Sequence, residues 1–149
     1  MNFYSSKSGC ACLNDWDRPL TINHIVNLLL DLRRPLIGAN SRVIVVLVVR
    51  ESVPVPDDDW LNCLQASLPA ILDCCEHLLV VIEGSMMDRA PIRTAFRTTR
   101  RTSTKRTPPR TFDVLSTAIG YAQPFAPHDI LELQRQTMRQ SLSPHRSIE

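Results

Sequence analysis

Glycine is scarce in this sequence, with four residues in 149 against eleven prolines. A phosphate-binding loop needs closely spaced glycines so that backbone N–H groups can approach the phosphate, and the sequence has no such cluster. Apolar runs are also short: the longest holds seven residues, far below the roughly 20 that cross a bilayer. The first six residues lack the apolar segment of a signal peptide. We therefore expect a soluble, cytoplasmic protein with stiff connections and no membrane insertion.

The cysteines also show no recognisable disulfide or metal-binding pattern. The five cysteines are an odd number, and the pairs Cys10/Cys12 and Cys74/Cys75 are spaced too tightly for a disulfide scaffold. Their spacing matches no recognised zinc site, although His77 lies close to Cys74. We expect free thiols, no metal ion and no cofactor.

The chain length fits a single domain with an unevenly charged surface. A chain of 149 residues buries on folding roughly 70% of the surface that its unfolded form exposes. The formal net charge is only +2, but Arg89–Arg110 contains eight basic residues and no acidic one. Electrostatic attraction of a partner would begin in that segment.

The segment Val43–Val49 gives the strongest indication of the fold. Its seven apolar residues are mostly β-branched and lie between Arg42 and Arg50. A strand without polar alternation must be covered on both faces, which is typical of a parallel sheet between helices. Leu78–Ile82 is a second such run about one helix length later, so the two predict a right-handed βαβ unit. The predicted fold class is α/β, a mixed sheet with Val43–Val49 as its central strand, flanked by helices.

Turn and capping residues divide the remaining chain into alternating elements. Ser5–Gly9 is typical of a hairpin turn, and Thr21, Asp57 and Asp113 are suited to cap helices. The first helix carries an apolar stripe made of Ile22, Ile25, Val26, Leu29 and Leu32. The predicted order is a hairpin of Asn2–Tyr4 and Cys10–Trp16, a helix from Thr21 to about Arg34, strand Val43–Val49, a helix from Asp57 to about Cys75, strand Leu78–Ile82, helix Asp88–Thr102, edge strand Arg110–Phe112, helix Val114–Ala122 and a last helix His128–Leu142.

This order of elements resembles the STAS-like fold of anti-sigma-factor antagonists and of the cytoplasmic domains of sulfate transporters. The resemblance covers Asn2–Ala122 and predicts a STAS-like domain over residues 1–123, with a C-terminal helix and polar tail over residues 124–149. It implies a non-enzymatic regulatory or signalling domain that binds another protein. In related domains the partner surface surrounds the loop after the central strand, which here corresponds to Ser52–Trp60.

The regulatory members of that family carry a phosphorylated serine in an Asp-Ser-Ser-Gly turn at the start of the helix after the central strand. The matching place here reads Glu51–Asp57, with Ser52 as its single serine and no glycine. Ser52 is a possible phosphorylation site, although the aspartates that follow would repel a phosphate. Asp57 and Trp60 are candidate partner contacts, and Trp60 suits a core position equally well.

Four arginines at helical spacing form the sharpest surface feature that the sequence predicts. Arg89, Arg93, Arg97 and Arg101 recur every four residues, and guanidinium groups bind carboxylates and phosphates well. We expect this arginine stripe to face an acidic protein surface if it functions at all, with nucleic acid as the competing partner and a merely solvated helix face as the alternative. Ser103, beside the stripe, resembles a site for a kinase that recognises basic residues.

Two other clusters could carry catalysis. Asp57–Asp59 offers three carboxylates, but helix capping explains them more simply. Cys74–His77 places a thiol, a carboxylate and an imidazole within one turn, and we interpret it as the C-terminus of a helix because catalytic cysteine and histidine generally meet across a fold. A small cysteine- or carboxylate-dependent enzyme is therefore the third hypothesis, after protein binding and nucleic-acid binding. We assign no catalytic residue.

Overall fold

The computed structural model describes residues 2–6, 9–33, 43–97 and 108–125. Strands and helices alternate along these residues, which confirms the predicted α/β class. The strands are β1 (Asn2–Ser6), β2 (Gly9–Trp16), β3 (Val43–Val49), β4 (Cys75–Ile82) and β5 (Arg110–Phe112). The helices are α1 (Ile22–Arg33), α2 (Asp58–Cys74), α3 (Ala90–Arg97) and α4 (Leu115–Ala122).

The five strands form one mixed sheet in the order β1-β2-β3-β4-β5. β1 is antiparallel to β2, and the other neighbouring pairs are parallel. Each crossover therefore moves one strand further in the same direction, and right-handed crossovers of this kind place their helices on the same face. α1, α2 and α3 indeed pack side by side on one face, while α4 covers β3, β4 and β5 on the other.

β3 lies at the centre of the sheet, as the sequence predicts. Its side chains from Ile44 to Val49 are at most 3% exposed. Burying one such side chain contributes about 1.5–3 kcal/mol relative to leaving it in water, so both faces of the strand stabilise the fold. Val45, Leu47 and Val49 belong to the core under α1, α2 and α3, whereas Ile44, Val46 and Val48 belong to the core under α4.

α1 turns a different face to the sheet from the one predicted. Ile25, Leu28 and Leu32 are buried, whereas Ile22 is 50% and Val26 is 43% exposed. The predicted stripe is therefore wrong at Ile22 and Val26. Apolar residues occupy most positions of this helix, so their spacing does not determine which face is buried.

A histidine side chain accepts a hydrogen bond at the N-terminus of α1. The backbone N–H of Thr21 donates to Nδ1 of His24 at 3.0 Å, and the N–H of His24 donates to the Thr21 carbonyl at 3.0 Å. The Thr21 hydroxyl, predicted to cap a backbone amide, lies 3.2 Å from the same Nδ1. The arrangement reproduces one half of a capping box, with histidine in place of the usual glutamate or glutamine, because the imidazole accepts from the Thr21 N–H while the Thr21 hydroxyl lies against the same imidazole.

α2 begins as predicted and ends earlier than predicted. The Asp57 carboxylate accepts a hydrogen bond from the Trp60 N–H at 2.9 Å, which confirms the predicted cap. The helix continues through Pro69 to Cys74, and β4 begins at the next residue. The interpretation of Cys74–His77 as a helix end is therefore correct only for Cys74, because the following three residues are extended.

The two helices after β4 start later than predicted. α3 begins at Ala90, two residues after the predicted start at Asp88, and β5 has the predicted bounds. Asp113 does not cap α4: the N-cap is Val114, which makes no side-chain cap hydrogen bond. The Asp113 carboxylate instead pairs with Arg93.

The predicted helix His128–Leu142, and with it most of the segment 124–149, lies outside the described residues. None of the helices that the structure describes is long and apolar enough to cross a membrane.

Candidate functional site

The carboxyl ends of the four parallel strands meet at one edge of the sheet, where open α/β sheets bind their ligands. Charged residues collect at this carboxyl edge. Asp15 is the penultimate residue of β2, Arg50 directly follows β3, Glu83 follows β4 and Asp113 follows β5. The candidate site comprises these residues and the loops that leave the sheet beside them.

Arg50 connects three strand ends. Its Nε and Nη2 donate to the two carboxylate oxygens of Asp15, both at 2.8 Å, and its Nη1 donates to Glu83 Oε2 at 3.1 Å. The hydrogen bonds that Arg50 donates to Asp15, together with the negative charge of both carboxylates, raise the pKa of Arg50 further above its usual range against the opposing effect of burial. The guanidinium is therefore permanently charged, and it fixes the ends of β2, β3 and β4 to one another.

Arg89 holds the loop between β3 and α2. The residue is 5% exposed, and its guanidinium donates to the carbonyl oxygens of Val53, Glu51 and Arg50. Gly84 makes room for it: at φ of 111° a side chain would be strained, and a Cβ there would lie 3.0 Å from Arg89 Nε. The conformation of the loop thus depends on one buried cation.

Arg93 is also directed inward. It is 6% exposed, and its Nη2 donates to the Ile82 carbonyl at 3.3 Å and to the Asp113 carboxylate. Its Nε has no hydrogen-bond partner among the described residues. Arg93 therefore joins the end of β4 to the segment that follows β5.

These positions correct the predicted arginine stripe. Arg89 and Arg93 are buried and bind the protein's own carbonyl and carboxylate groups, so they do not form one exposed face with Arg97. Arg97 is exposed. Arg101 and Ser103 lie outside the described residues.

The loop that Arg89 holds contains the predicted partner-binding residues. Ser52 is exposed and Val53 is buried beside it. Trp60 is 3% exposed, and its indole N–H donates to the Thr21 carbonyl at 2.9 Å. Trp60 is therefore a core residue, packed edge-on against Trp16 at 5.8 Å between ring centroids, and it does not contribute a surface contact.

Large apolar side chains project from the same edge. Val55 in the loop after β3 is 42% exposed, Met86 and Met87 after β4 are 64% and 86% exposed, and Val114 after β5 is 54% exposed. Sequence reasoning missed this set. The available signal was the pair of adjacent methionines in an otherwise polar turn, because methionine is common at adaptable binding surfaces.

The candidate catalytic residues in Asp57–Asp59 and Cys74–His77 do not form a common site in the structure. The Asp57 carboxylate is engaged in the helix cap, and the Cys75 thiol donates to the Ile71 carbonyl at 3.3 Å. His77 packs on Phe125, with ring centroids 4.3 Å apart, on the α4 side of the sheet. The pairing of β3 with β4 skips Glu76, as in a β-bulge. Cys75 and His77 therefore lie on opposite faces of the sheet. Within the described ranges no group of three or more His, Cys, Asp or Glu could hold a metal ion.

Comparison with protein-family models, with curated proteins and with solved structures finds no match for this chain. The fold defines an α/β protein with a mixed five-stranded sheet. Since a fold by itself does not define a function, the side chains of the carboxyl edge carry the indications of function.

Proposed function

We propose that the protein is a non-enzymatic regulatory domain of STAS-like type that binds another protein through the carboxyl edge of its sheet. The observation that supports the proposal most is the set of exposed apolar side chains on three neighbouring loops: Val55, Met86, Met87 and Val114. Exposed apolar groups surrounded by polar residues are typical of protein-binding surfaces. The STAS-like resemblance is based on the order of elements, and in related domains the partner surface surrounds the loop after the central strand.

The buried cations give this surface a defined shape. Arg89 fixes the backbone of the loop after β3 through three carbonyl groups, and Arg50 fixes the strand ends beneath it. A surface that is ordered before binding loses less conformational entropy on association. The predicted preference for an acidic partner now depends on exposed residues such as Arg97, because Arg89 and Arg93 are already engaged inside the domain.

Ser52 is the proposed position of regulation. It is exposed within the loop that Arg89 organises. A phosphate on Ser52 would add negative charge next to Glu51 and a few residues from Asp57–Asp59, so we propose that it would weaken binding of an acidic partner.

A charge placed in the centre of the surface tests the proposal. Val55→Asp is expected to weaken binding to a partner isolated by co-purification at least about tenfold, because an aspartate in an apolar contact is desolvated without a counter-charge and repels an acidic partner. Val26→Asp is the matched control, since Val26 on α1 is 43% exposed and Val55 is 42% exposed. Titration calorimetry with the purified partner measures both. Equal effects of the two substitutions would contradict the proposal, as would turnover of a small substrate without any stable partner.

Nucleic acid is the second candidate, and one cluster favours it. Arg110 lies over the Tyr121 ring, 4.7 Å from its centroid. Phe112 and Phe125 contact the same ring with centroid distances of 5.8 and 5.7 Å, and Phe125 is 47% exposed. Aromatic side chains beside cations are the usual way to bind single strands without sequence preference.

We expect an Arg110→Glu variant to distinguish this candidate from the first. If single strands bind here, the substitution will weaken binding of a fluorescent oligothymidine several-fold and reduce its salt dependence, because one phosphate contact is lost. Arg18→Glu is the control, because Arg18 is exposed and follows β2, which β3 and β4 separate from β5 in the sheet. Fluorescence anisotropy over a salt series measures both. Undetectable binding by the wild-type protein at low salt would eliminate the candidate.

A further inference from the structure

Two adjacent methionines are the most exposed sulfur groups among the side chains that the structure describes. Met86 is 64% and Met87 is 86% exposed, in the turn between β4 and α3. The cysteines with described side chains are less accessible, Cys12 and Cys75 being buried and Cys63 and Cys74 partly buried. Because oxidation of sulfur side chains increases with their exposure, an oxidant in solution reaches the two thioethers of this methionine pair readily.

The backbone of this turn is held without the methionine side chains. The Ser85 carbonyl accepts from the Arg89 N–H at 3.0 Å, and the Ser85 hydroxyl accepts from the Asp88 N–H at 3.5 Å. The Met87 carbonyl accepts from the Ala90 N–H at 3.4 Å. Neither methionine belongs to the two apolar cores, so a chemical change at the sulfur atoms would alter the surface and leave the fold intact.

Hydrogen peroxide converts a methionine to its sulfoxide. The thioether sulfur attacks one peroxide oxygen, the O–O bond breaks, an S–O bond forms and water leaves after proton transfer. The sulfur loses two electrons and the peroxide gains them. The product carries a polar hydrogen-bond acceptor in place of an apolar group. Thiol-dependent methionine sulfoxide reductases reverse the change, since two thiols are oxidised to a disulfide and the oxygen is released as water.

The position of the methionine pair connects this chemistry to the proposed docking surface. Met86 and Met87 follow β4, the strand between β3 and β5, so they lie between the loops that carry Val55 and Val114. A sulfoxide oxygen pressed against apolar groups of a partner loses its water without a replacement donor, which is unfavourable. On the basis of the proposed function, we infer that Met86 and Met87 form an oxidation site through which peroxide weakens partner binding.

Peptide mapping by mass spectrometry tests the oxidation itself, without any partner. The full chain and a short unstructured peptide containing Met-Met are treated with hydrogen peroxide. Met86 and Met87 are expected to form sulfoxide within about threefold of the rate in the peptide, because their side chains are exposed. The Tm of the oxidised protein is expected not to fall. Oxidation more than about tenfold slower than in the peptide would overturn the inference.

Retention on a phenyl resin shows whether oxidation changes the apolar character of this surface. Oxidised wild type is expected to elute at higher salt than the untreated protein, because a polar group replaces an apolar one. The double variant Met86→Leu/Met87→Leu is the matched control, since leucine is apolar and has no sulfur. Its retention is expected to stay the same after peroxide. Unchanged retention of oxidised wild type, or an equal shift in the double variant, would overturn the inference.

Calorimetric titration with the co-purified partner measures the effect on binding. Oxidised wild type is expected to bind at least about tenfold more weakly, and treatment with methionine sulfoxide reductase and dithiothreitol to restore the affinity. The affinity of Met86→Leu/Met87→Leu is expected not to change between untreated and oxidised protein. Unchanged affinity of oxidised wild type would overturn the inference. If Val55→Asp nevertheless weakens binding, the docking surface stands and only the oxidation site fails; if neither change weakens binding, the proposed function fails as well.

Discussion

Replacing Arg89 by methionine is expected to lower the free energy of unfolding by about 3 kcal/mol, since hydrogen bonds to charged groups contribute about 1.5–3 kcal/mol each and are not additive. The carbonyl oxygens of Val53, Glu51 and Arg50 lose their donor, and the buried position offers little water to replace it. Equilibrium unfolding in urea measures the change.

Arg97→Met is the matched control for this substitution. Arg97 ends the same helix that Arg89 precedes, but its side chain is exposed, so the control is expected to change stability by less than about 0.5 kcal/mol. The Arg89 variant should also exchange the amide hydrogens around Val53 faster and bind the partner more weakly, because the loop loses its anchor. Equal stability of the two variants would show that Arg89 does not hold the loop.

Arg50→Met is expected to lower the free energy of unfolding by about 2–4 kcal/mol, because removing one partner of an ion pair leaves the remaining charges uncompensated. Here two carboxylates would remain, with side-chain exposures of 17% for Asp15 and 30% for Glu83. Since the pKa of Arg50 is raised from an already high value, its stabilising effect is complete at lower pH and would be lost only at strongly alkaline pH. The loss in the variant should therefore be the same at pH 6 and pH 9.

Arg50→Lys separates geometry from charge. Lysine keeps the positive charge but cannot form the paired hydrogen bonds to Asp15. We therefore expect Arg50→Lys to lose about half of the stability that Arg50→Met loses. Adding Asp15→Leu to Arg50→Met should recover part of the stability, because one uncompensated carboxylate is removed. Thermal and urea unfolding of wild type, Arg50→Met, Asp15→Leu and the double variant provides the cycle, with Arg50→Lys measured beside them. An Arg50→Met protein within about 0.5 kcal/mol of wild type would contradict the role assigned to Arg50.

The sheet could be predicted from sequence because its central strands are apolar on both faces. Val43–Val49 and Leu78–Ile82 have no polar interruption, and only a strand between two layers of helices satisfies such a pattern. Asp57 identified the start of α2 because a carboxylate is well suited to the first free N–H groups of a helix. The order of these segments along the chain predicted that strands and helices alternate. Which strands lie next to one another is known only from the structure.

Side-chain direction could not be predicted in the same way. The arginine stripe has the spacing of one helix face, but Arg93 lies next to Ile92 and three residues before Phe96, both of them buried. That position on the apolar face was the signal that Arg93 points inward. Trp60 has a similar ambiguity, because an indole serves a core and an interface equally well until its N–H finds a partner such as the Thr21 carbonyl.

A polar cavity between α1 and β2 could not be predicted for a different reason. Asn23, Asn27 and Asp31 resemble an ordinary solvated face until β2 brings Asn14 and Trp16 opposite them. The pairing of β2 with β3 over Cys10–Trp16 and Val43–Val49 sets which β2 side chains face the helices. A contact of this kind between distant parts of the chain leaves no local pattern in the sequence.

Site-specific photocross-linking tests the proposed docking surface most directly. A photoreactive phenylalanine analogue would replace Met87, which is 86% exposed at the carboxyl edge, or Val26, which is 43% exposed on α1. Each protein would be irradiated with the co-purified partner, and the adducts would be identified by mass spectrometry. The proposed function predicts an abundant adduct from position 87 and little or none from position 26. An adduct from position 26 alone would contradict it and move the interface to the exposed face of α1.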